Sequence, residues 1–368
     1  MEIYICSIGL VVLLAYIYDK VKTNRDKALL YMVMFLILFV VMGFRYGVGQ
    51  DYFFTYVPLY MNIYNGVDTG IEIGFEILNR IGSFLMGADY QSIFIITSAL
   101  FLGCVFIACK KNDANLFLMM YIFLCGGFYF YAFNVVRQCL ATAFFSVGLF
   151  YISSQGNPLI EKQLVLGNLK IARMKIDENM VKYFLLMCVA ASIHISSLLY
   201  FPLWFFSSRK FRRRTYFGFL FVFLLLIPYI FVIIGSILSG TKYGNYISGY
   251  WADTSKRINV SQILNAIIFF IYLFTPSKKE DPLFTTYMNI HYIGLLATCL
   301  MGVVPLVFRV TTLFYLIQFL SVPYYYKNYI SKKYKSVSLI AILSIYGALF
   351  INTLHSNGNN ILPYAMNL

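Results

Sequence analysis

Charged side chains are scarce in this chain of 368 residues: they make up 12% of it, while 60% of the residues are hydrophobic and 19% are aromatic. A soluble domain carries about twice that charged fraction. The mean hydropathy is +0.74, whereas even a large soluble domain keeps a polar exterior. The composition therefore excludes soluble enzymes, disordered proteins and secreted disulfide scaffolds. It predicts an all-α polytopic integral membrane protein.

The signature motifs of several enzyme classes are also missing. The chain has no DxD, HExxH, GxSxG or Walker A sequence, so metal-bound nucleotide-sugar, zinc-protease, hydrolase and nucleotide sites are unsupported. Its seven cysteines lie in apolar runs without a CxxC pair, which indicates packing residues rather than metal ligands or disulfides. We expect no metal, no cofactor and no removable signal peptide.

Acidic residues are few, with 15 against 29 basic ones, which gives a formal net charge of +14. Such an excess can indicate nucleic-acid binding. In a membrane protein, however, basic residues accumulate in cytoplasmic loops and fix the topology. We therefore expect no nucleic-acid partner, and the basic residues become a guide to which side each loop occupies.

The number of spans follows from length, since a helix needs roughly 20 apolar residues to cross the hydrocarbon core. Ten spans satisfy this measure, near residues 3–18, 28–44, 91–109, 115–133, 137–154, 216–238, 260–275, 284–308, 310–326 and 336–352. An eleventh apolar stretch, 180–206, has His194 near its middle.

Charge decides how that stretch, 180–206, runs. If it crosses the membrane, Lys and Arg divide 15 to 14 between the two sides; if it returns to the side it came from, they divide 22 to 7. The positive-inside rule favours the second arrangement. The sequence thus predicts a re-entrant helical hairpin that turns near His194, with both termini outside. Irregular backbone at membrane depth also requires a surrounding cavity or protein.

We expect a single transmembrane domain over 1–368, with three notable loops. Segment 155–179 is a polar cytoplasmic loop, and segment 239–259 is an outer loop rich in tyrosine. The outer segment 45–90 contains an amphipathic helix at the membrane interface. Its polar positions are Glu72, Glu76, Asn79 and Arg80, and its apolar positions are Ile73, Ile77 and Ile81.

Three arginines lie where a predicted span meets the outer side, which normally avoids basic residues: Arg45, Arg137 and Arg309. A guanidinium group binds a phosphate through two parallel hydrogen bonds. Three of them around one cavity would bind a pyrophosphate. The alternative is that each arginine reaches out to lipid headgroups.

Two of these arginines have polar neighbours. After Arg45, Gly47 and Gly49 permit a ligand to approach the backbone. Asp51 then binds a sugar hydroxyl, orients Arg45 or accepts a proton, unless the two residues form a structural ion pair. Asn134, Arg137 and Gln138 follow the i, i+3, i+4 spacing of one helix face.

His194 is the candidate general base, because an imidazole exchanges a proton near neutrality. A hydrogen-bonded packing residue is the alternative. Glu72 and Glu76 are spaced i, i+4, so they would bind sugar hydroxyls or act as an acid–base pair. Their alternative is an exposed helix with a Glu76–Arg80 ion pair.

These residues resemble the EpsG-like, Wzy-type polysaccharide polymerases. Four blocks occur in the same order as in that family: Arg45 to Tyr52 with Tyr56, Glu72 to Asn79, Asn134 to Ala141, and His194 with Ser196. Arg309, at the start of an aromatic span, is similar to the family's late arginine. The resemblance extends from about residue 40 to 325, and the first and third blocks are its specific parts.

The resemblance implies a glycosyltransferase of the bacterial inner membrane, with a GT-C-like architecture. Such an enzyme transfers a growing glycan from undecaprenyl pyrophosphate to the end sugar of a new lipid-linked repeat unit, without nucleotide or metal. Membrane lipids, a chain-length regulator and a flippase are its expected partners. Arg45, Arg137 and Arg309 would bind the pyrophosphate, His194 or Asp51 would take the proton, and the sugar contacts would be Tyr52, Glu72, Glu76, Asn134 and Gln138.

Two other functions compete. A membrane O-acyltransferase that modifies polysaccharide would also have about ten spans and a histidine at membrane depth, with an acyl donor entering from the cytoplasm. A flippase for lipid-linked oligosaccharides would carry charges at many depths and a repeat between its halves. The candidate residues cluster on the outer side instead, and no repeat is visible.

Overall fold

The computed structural model describes residues 1–154, 158–166, 169–239, 259–276, 280–301 and 307–367. The chain forms two compact units, which are considered separately. The first unit comprises residues 1–204 and 319–368, and the second comprises residues 205–318. The described residues are helical apart from their loops and one two-stranded sheet.

The first unit contains nine helices before residue 194 within the described ranges: α1 (Glu2–Lys20), α2 (Asn24–Gly43), α3 (Val57–Tyr64), α4 (Ile73–Met86), α5 (Gln91–Lys111), α6 (Leu116–Cys125), α7 (Phe128–Tyr131), α8 (Val136–Ile152) and α9 (Glu178–Ile193). One π-helical turn, Tyr52–Tyr56, leads into α3. Strands β1 (Pro158–Leu166) and β2 (Leu169–Asp177) form an antiparallel hairpin between α8 and α9.

The remaining helices begin with α10 (Leu203–Phe206), at the boundary of the units. The second unit then contains α11 (Arg213–Ser239), α12 (Val260–Phe274), α13 (Pro282–Cys299) and α14 (Val307–Tyr315). Helix α15 (Gln318–Asn328) leads back into the first unit, which ends with α16 (Lys335–Ser356).

The fold is that of a polytopic membrane protein. Six segments among the described residues are long and apolar enough to cross a membrane: Glu2–Lys20, Asn24–Gly43, Gln91–Lys111, Arg213–Ile230, Val307–Asn328 and Lys332–Ser356. Shorter apolar helices accompany them, including α6, α8 and α12. The all-helical membrane fold expected from composition is confirmed, whereas the count of ten spans stays a prediction.

The exposed surface of helix α16 is apolar and requires contact with lipid. Helix α16 buries only Tyr346 and Leu354 inside the protein, while Ile340 is 65% exposed and Ile351 is 68% exposed. Water would not tolerate so many exposed large apolar side chains along one helix. The hydrocarbon core of a membrane is the surrounding that this face fits.

Lysines mark one end of the first unit, called the lysine end here. Lys27 and Lys110 line the same cavity there. Lys111, at the end of α5, and Lys182, near the start of α9, both lie over the ring of Tyr151 at the end of α8, 4.9 and 5.9 Å from its centre. The basic residues of several loops therefore meet on one side of this unit.

The chain turns back at His194. This residue has extended backbone angles (φ −152°, ψ 120°) that end α9, and a 3₁₀ helix, Ile195–Tyr200, follows. Tyr183 near the start of α9 donates a hydrogen bond to the carbonyl of Tyr200, and its ring centre is 5.5 Å from that of Trp204. Residues 178–204 are thus a helical hairpin whose two arms begin and end toward the lysine end.

Three other segments differ in detail from the predictions made from the sequence. The segment expected as a polar loop, 155–179, contains the β1–β2 hairpin and the start of α9, where the side chain of Asp177 accepts a hydrogen bond from Met180 N. The segment expected as an amphipathic helix forms α4, but Asn79, assigned to its polar face, is fully buried. The outer aromatic loop predicted at 239–259 falls, between 240 and 258, outside the described residues.

Residues 361–366 lie at the end of the first unit that is opposite the lysine end. Met366 forms a β-bridge with Arg45, just after α2. Tyr4 at the start of α1 donates a hydrogen bond to the carbonyl of Ile361 (3.0 Å). The two terminal segments therefore lie at the same end of this unit.

Helix α4 approaches α9 at a glycine. A Cβ atom at Gly74 would lie 2.3 Å from Ser192 Oγ and 2.8 Å from the Ser192 carbonyl oxygen. Real Cβ atoms do not come that close to other heavy atoms, so only glycine permits this separation. The contact fixes the start of α4 beside the end of α9.

We expect Gly74→Ala to lower the thermal stability of the protein, because main-chain atoms of Ser192 cannot move aside; overpacking of this kind costs about 1–3 kcal/mol. Gly103→Ala in α5 is the matched control, since nothing lies within 4 Å of its Cβ position. Melting curves of the purified protein in detergent compare the two. Equal melting temperatures for both variants would contradict the close approach.

Candidate active site

Arg45 lies just beyond the end of α2 and has no exposed surface. Its Nη1 donates a hydrogen bond to the carbonyl of Met42 (2.5 Å) and its Nε to that of Val48 (3.3 Å). The guanidinium carbon lies 4.7 Å from the ring centre of Phe94 and 4.8 Å from that of Phe133. Arg45 thus holds together the turn after α2.

This burial concerns two sequence assignments, which stay predictions. Arg45 was expected to bind pyrophosphate, but its donors face backbone carbonyls inside the protein. Tyr52 was expected to contact sugar, yet it is fully buried. Its ring stacks on Phe94 at 4.1 Å, and its hydroxyl donates to Gln91 Oε1 (3.1 Å). Arg45 and Tyr52 of the first block thus form a scaffold in this structure.

A second part of the scaffold centres on Asn134. Its Oδ1 accepts a hydrogen bond from Gln50 N (2.5 Å) and its Nδ2 donates to the carbonyl of Asn359 (2.8 Å). A Cβ atom at Gly49, where φ is +103°, would meet the Phe133 carbonyl at 2.7 Å. Glycine at this position therefore permits close contact between the loop after Arg45 and the segment that precedes α8.

The third block does not present one polar helix face. Helix α8 begins at Val136, so Asn134 precedes it, and both Asn134 and Gln138 are buried. The assignment of these two side chains to sugar binding stays a prediction. Tyr56 Oη accepts a hydrogen bond from Val136 N (2.9 Å) and so fixes the start of α8. That contact was not foreseen from the sequence.

Arg137 comes next and is partly exposed. Its side chain keeps 25% of its surface accessible, and Nη1 donates to Glu72 Oε2 at 2.6 Å. The guanidinium carbon lies 5.8 Å from the ring centre of Phe75, which is buried at the start of α4. The arginine is thus held by one carboxylate and one aromatic face while part of it stays accessible.

Glu72 is the centre of the site. The other carboxylate oxygen, Oε1, lies 3.3 Å from His194 Nδ1 and accepts a hydrogen bond from Ile195 N (3.2 Å). The side chains of Glu72 and His194 are 19% and 20% exposed. One carboxylate therefore joins the starts of α4 and α8 to the turn of the hairpin.

The charge state of Glu72 follows from these contacts. Burial opposes ionisation, but the contacts with His194 and Arg137 outweigh it and lower the pKa of Glu72 from 4.5 to about 2. A carboxylate, an imidazole and a guanidinium thus share one partly open surface. This combination can bind a phosphate group and can also take a proton from a hydroxyl.

Three predicted site residues remain besides this cluster of Arg137, Glu72 and His194. Glu76 accepts hydrogen bonds from Nε and Nη2 of Arg80 (2.9 and 2.6 Å), which is the ion pair that the sequence offered as its alternative. Asp51 immediately precedes the π-helical turn and is half-buried. Arg309 is exposed on α14 of the second unit.

A metal does not fit this cluster. The described residues contain no group of three or more His, Cys, Asp and Glu side chains able to hold one. The only carboxylate of the cluster, Glu72, already faces a cation.

Replacing Arg45 tests its structural role. We expect Arg45→Met to destabilise the protein by about 3 kcal/mol, because buried carbonyls lose charge-assisted hydrogen bonds. Arg80→Met, which removes an exposed arginine, is expected to cost less than about 1 kcal/mol. Thermal melting in detergent measures both. Similar melting temperatures would show that the buried hydrogen bonds of Arg45 do not stabilise the fold.

The pH dependence of stability tests Glu72. Its pKa is lower in the folded protein than in the unfolded chain, so its contribution is complete above about pH 4.5 and is lost as the pH falls toward 2. We expect the melting temperature of the wild type to fall more steeply over this range than that of Glu72→Gln. Parallel curves would contradict the ionised bridge.

The comparisons with known proteins agree with these motifs. The model of the EpsG family matches residues 28–160 and 170–366, which is most of the chain. Neither the curated proteins nor the solved structures contain a match. The matched ranges include Glu72, Arg137 and His194. The chain belongs to the EpsG family.

Proposed function

We propose that this protein is a polysaccharide polymerase of the bacterial inner membrane. It transfers a growing glycan from undecaprenyl pyrophosphate to the end sugar of a lipid-linked repeat unit. Membership of the EpsG family indicates a polymerase-type glycosyltransferase. The observation that carries the finer proposal is the contact of one carboxylate, Glu72, with both Arg137 and His194.

Arg137 is the proposed pyrophosphate ligand. It combines a cation with 25% exposure of its side chain, whereas Arg45 is fully buried. When the glycosyl–oxygen bond to the pyrophosphate breaks, negative charge develops on the leaving group. A fixed guanidinium stabilises that charge without reorganising in the transition state. Arg309 remains a proposed second ligand on the ground of the family resemblance alone.

His194 is the proposed general base. Its Nδ1 faces Glu72, so a proton on Nδ1 leaves Nε2 free to take the proton from the acceptor hydroxyl. A carboxylate in this position orients the imidazole and stabilises its charged form, as it does in hydrolytic triads. Asp51 is the other proposed base, and Glu76 stays a proposed sugar contact.

Substrate binding changes the balance around Glu72. Arg137 donates to Glu72, and a pyrophosphate offers the arginine a competing anion. The carboxylate still faces His194 Nδ1 and stabilises the imidazolium that forms when Nε2 takes the proton of the acceptor hydroxyl. In this way, binding of the donor and activation of the acceptor would be coupled through one side chain.

The lysine end supports a site on the outer side. Lys27, Lys110, Lys111 and Lys182 gather there, and the positive-inside rule assigns such an end to the cytoplasm. The cluster around Glu72 lies at the opposite end, where α8 begins and α9 stops. Both terminal segments of the chain share that end, in accordance with outer termini.

The test is a reconstituted reaction. Purified protein receives a synthetic repeat unit linked to undecaprenyl pyrophosphate, without nucleotide or added metal, and a gel resolves the products. We expect a ladder for the wild type and a rate about 10²–10³-fold lower for Arg137→Ala, because one charge-stabilising donor is lost. For His194→Gln we expect a loss of about 10²–10⁴-fold and a changed pH profile.

One matched variant serves as the control. Arg80→Ala removes a neighbouring exposed arginine and is expected to retain the ladder. A full ladder from Arg137→Ala at normal protein levels would refute its proposed role. If the wild type makes no ladder but adds an acyl group when acyl-CoA is supplied, the protein is an acyltransferase instead.

A further inference from the structure

A groove opens at the lysine end of the first unit, opposite the end where Glu72 lies. It lies between the end of α1, the start of α2 and the end of α5, and its volume is about 480 Å³. This volume falls within the usual range of small-molecule sites, roughly 300–1,000 Å³. No part of the proposed glycosyl transfer uses it.

The part of the groove nearest the lysine end is cationic. Lys27 and Lys110 line it together with Asn24 and Tyr18, and Lys27 Nζ lies 5.5 Å from the ring centre of Tyr18. No acidic side chain is among the described residues that line it. The nearby carboxylate of Asp19 accepts hydrogen bonds from Leu116 N and Phe117 N (3.1 and 3.0 Å) and also interacts electrostatically with Lys27, but it does not line the groove.

The part of the groove farther from the lysine end is apolar. Met32 and Phe35 continue the face of α2 that begins at Ala28, and Phe106 lies one helical turn before Lys110 on α5. At 1.5 Å per residue, Phe35 is about 12 Å further along the helix than Lys27. The lining therefore changes from two ammonium groups to hydrocarbon in the direction that leads from the membrane surface into its core.

We propose that this groove binds an anionic phospholipid. The phosphate lies between Lys27 and Lys110, and the first part of an acyl chain follows Met32, Phe35 and Phe106. A free anion would leave the apolar wall exposed, and an apolar helix would leave two lysines unpaired. A zwitterionic headgroup would bring its own cation toward the lysines. An amphiphile with a net negative head satisfies both parts of the lining.

The experiment measures lipid binding directly. Native mass spectrometry of the full protein in detergent counts the lipids retained during titration with phosphatidylglycerol or with phosphatidylethanolamine of the same acyl chains. We expect tight retention of the anionic lipid. In the double variant Lys27→Gln/Lys110→Gln we expect its affinity to fall about thirty-fold, because each lysine contributes about 1 kcal/mol of attraction to an anionic headgroup and about 1.4 kcal/mol is a tenfold change in affinity.

The matched control removes two lysines outside the groove. Lys22 and Lys332 are exposed, so Lys22→Gln/Lys332→Gln lowers the net charge equally and is expected to bind phosphatidylglycerol as the wild type does. Equal weakening in both double variants would overturn the site in favour of a diffuse charge effect. Equal retention of the two lipids by the wild type would overturn its selectivity.

A last arm separates a lipid from a free anion. Inorganic phosphate at millimolar concentration is added to the lipid-loaded protein. We expect the phospholipid to remain bound, because the acyl chain contributes to its affinity. Complete displacement by phosphate would overturn the proposal and assign the groove to a soluble anion.

Discussion

The arrangement of the site depends on a single carboxylate. Glu72 contacts Arg137 through one oxygen and His194 with the backbone of Ile195 through the other. These partners belong to three separate parts of the chain, and none of them could hold its position by local structure alone. Losing the carboxylate would leave a guanidinium without its anion in a partly buried setting, which is costly. The start of α4, the start of α8 and the hairpin turn are therefore interdependent.

Two arginines with similar sequence settings have different environments in the structure. Arg45 and Arg137 each follow or begin a helix at the same end of the first unit, and each lies in a specific family block. Arg45 is fully buried and donates to backbone carbonyls; Arg137 keeps a quarter of its side-chain surface accessible. Exposure, not residue type, distinguishes these two cations. Sequence carries no direct record of exposure at the end of a helix.

Much of the fold followed from simple quantities. Low charge content predicted the apolar helices. Counting lysines and arginines favoured a re-entrant hairpin that turns near His194; α9 ends there and Tyr183 meets Trp204, while the membrane side of the hairpin stays a prediction. The site was predicted less well, because its residues meet through tertiary contacts. The i, i+3, i+4 rule failed at Asn134, since the helix starts two residues later at Val136. Glu72 was chosen as a sugar ligand, and no local pattern reveals that a distant arginine and histidine face it.

The terminal segment around Met366 has a consequence for biosynthesis. Its bridge to Arg45 and the hydrogen bond between Tyr4 and Ile361, 357 positions apart, join the first helices to the last residues. Ribosomes add about 5–20 residues per second, so roughly half a minute passes between the synthesis of these partners. Until residues 361–366 have been made, Tyr4 and Arg45 lack these partners, so this end of the first unit assembles late in synthesis.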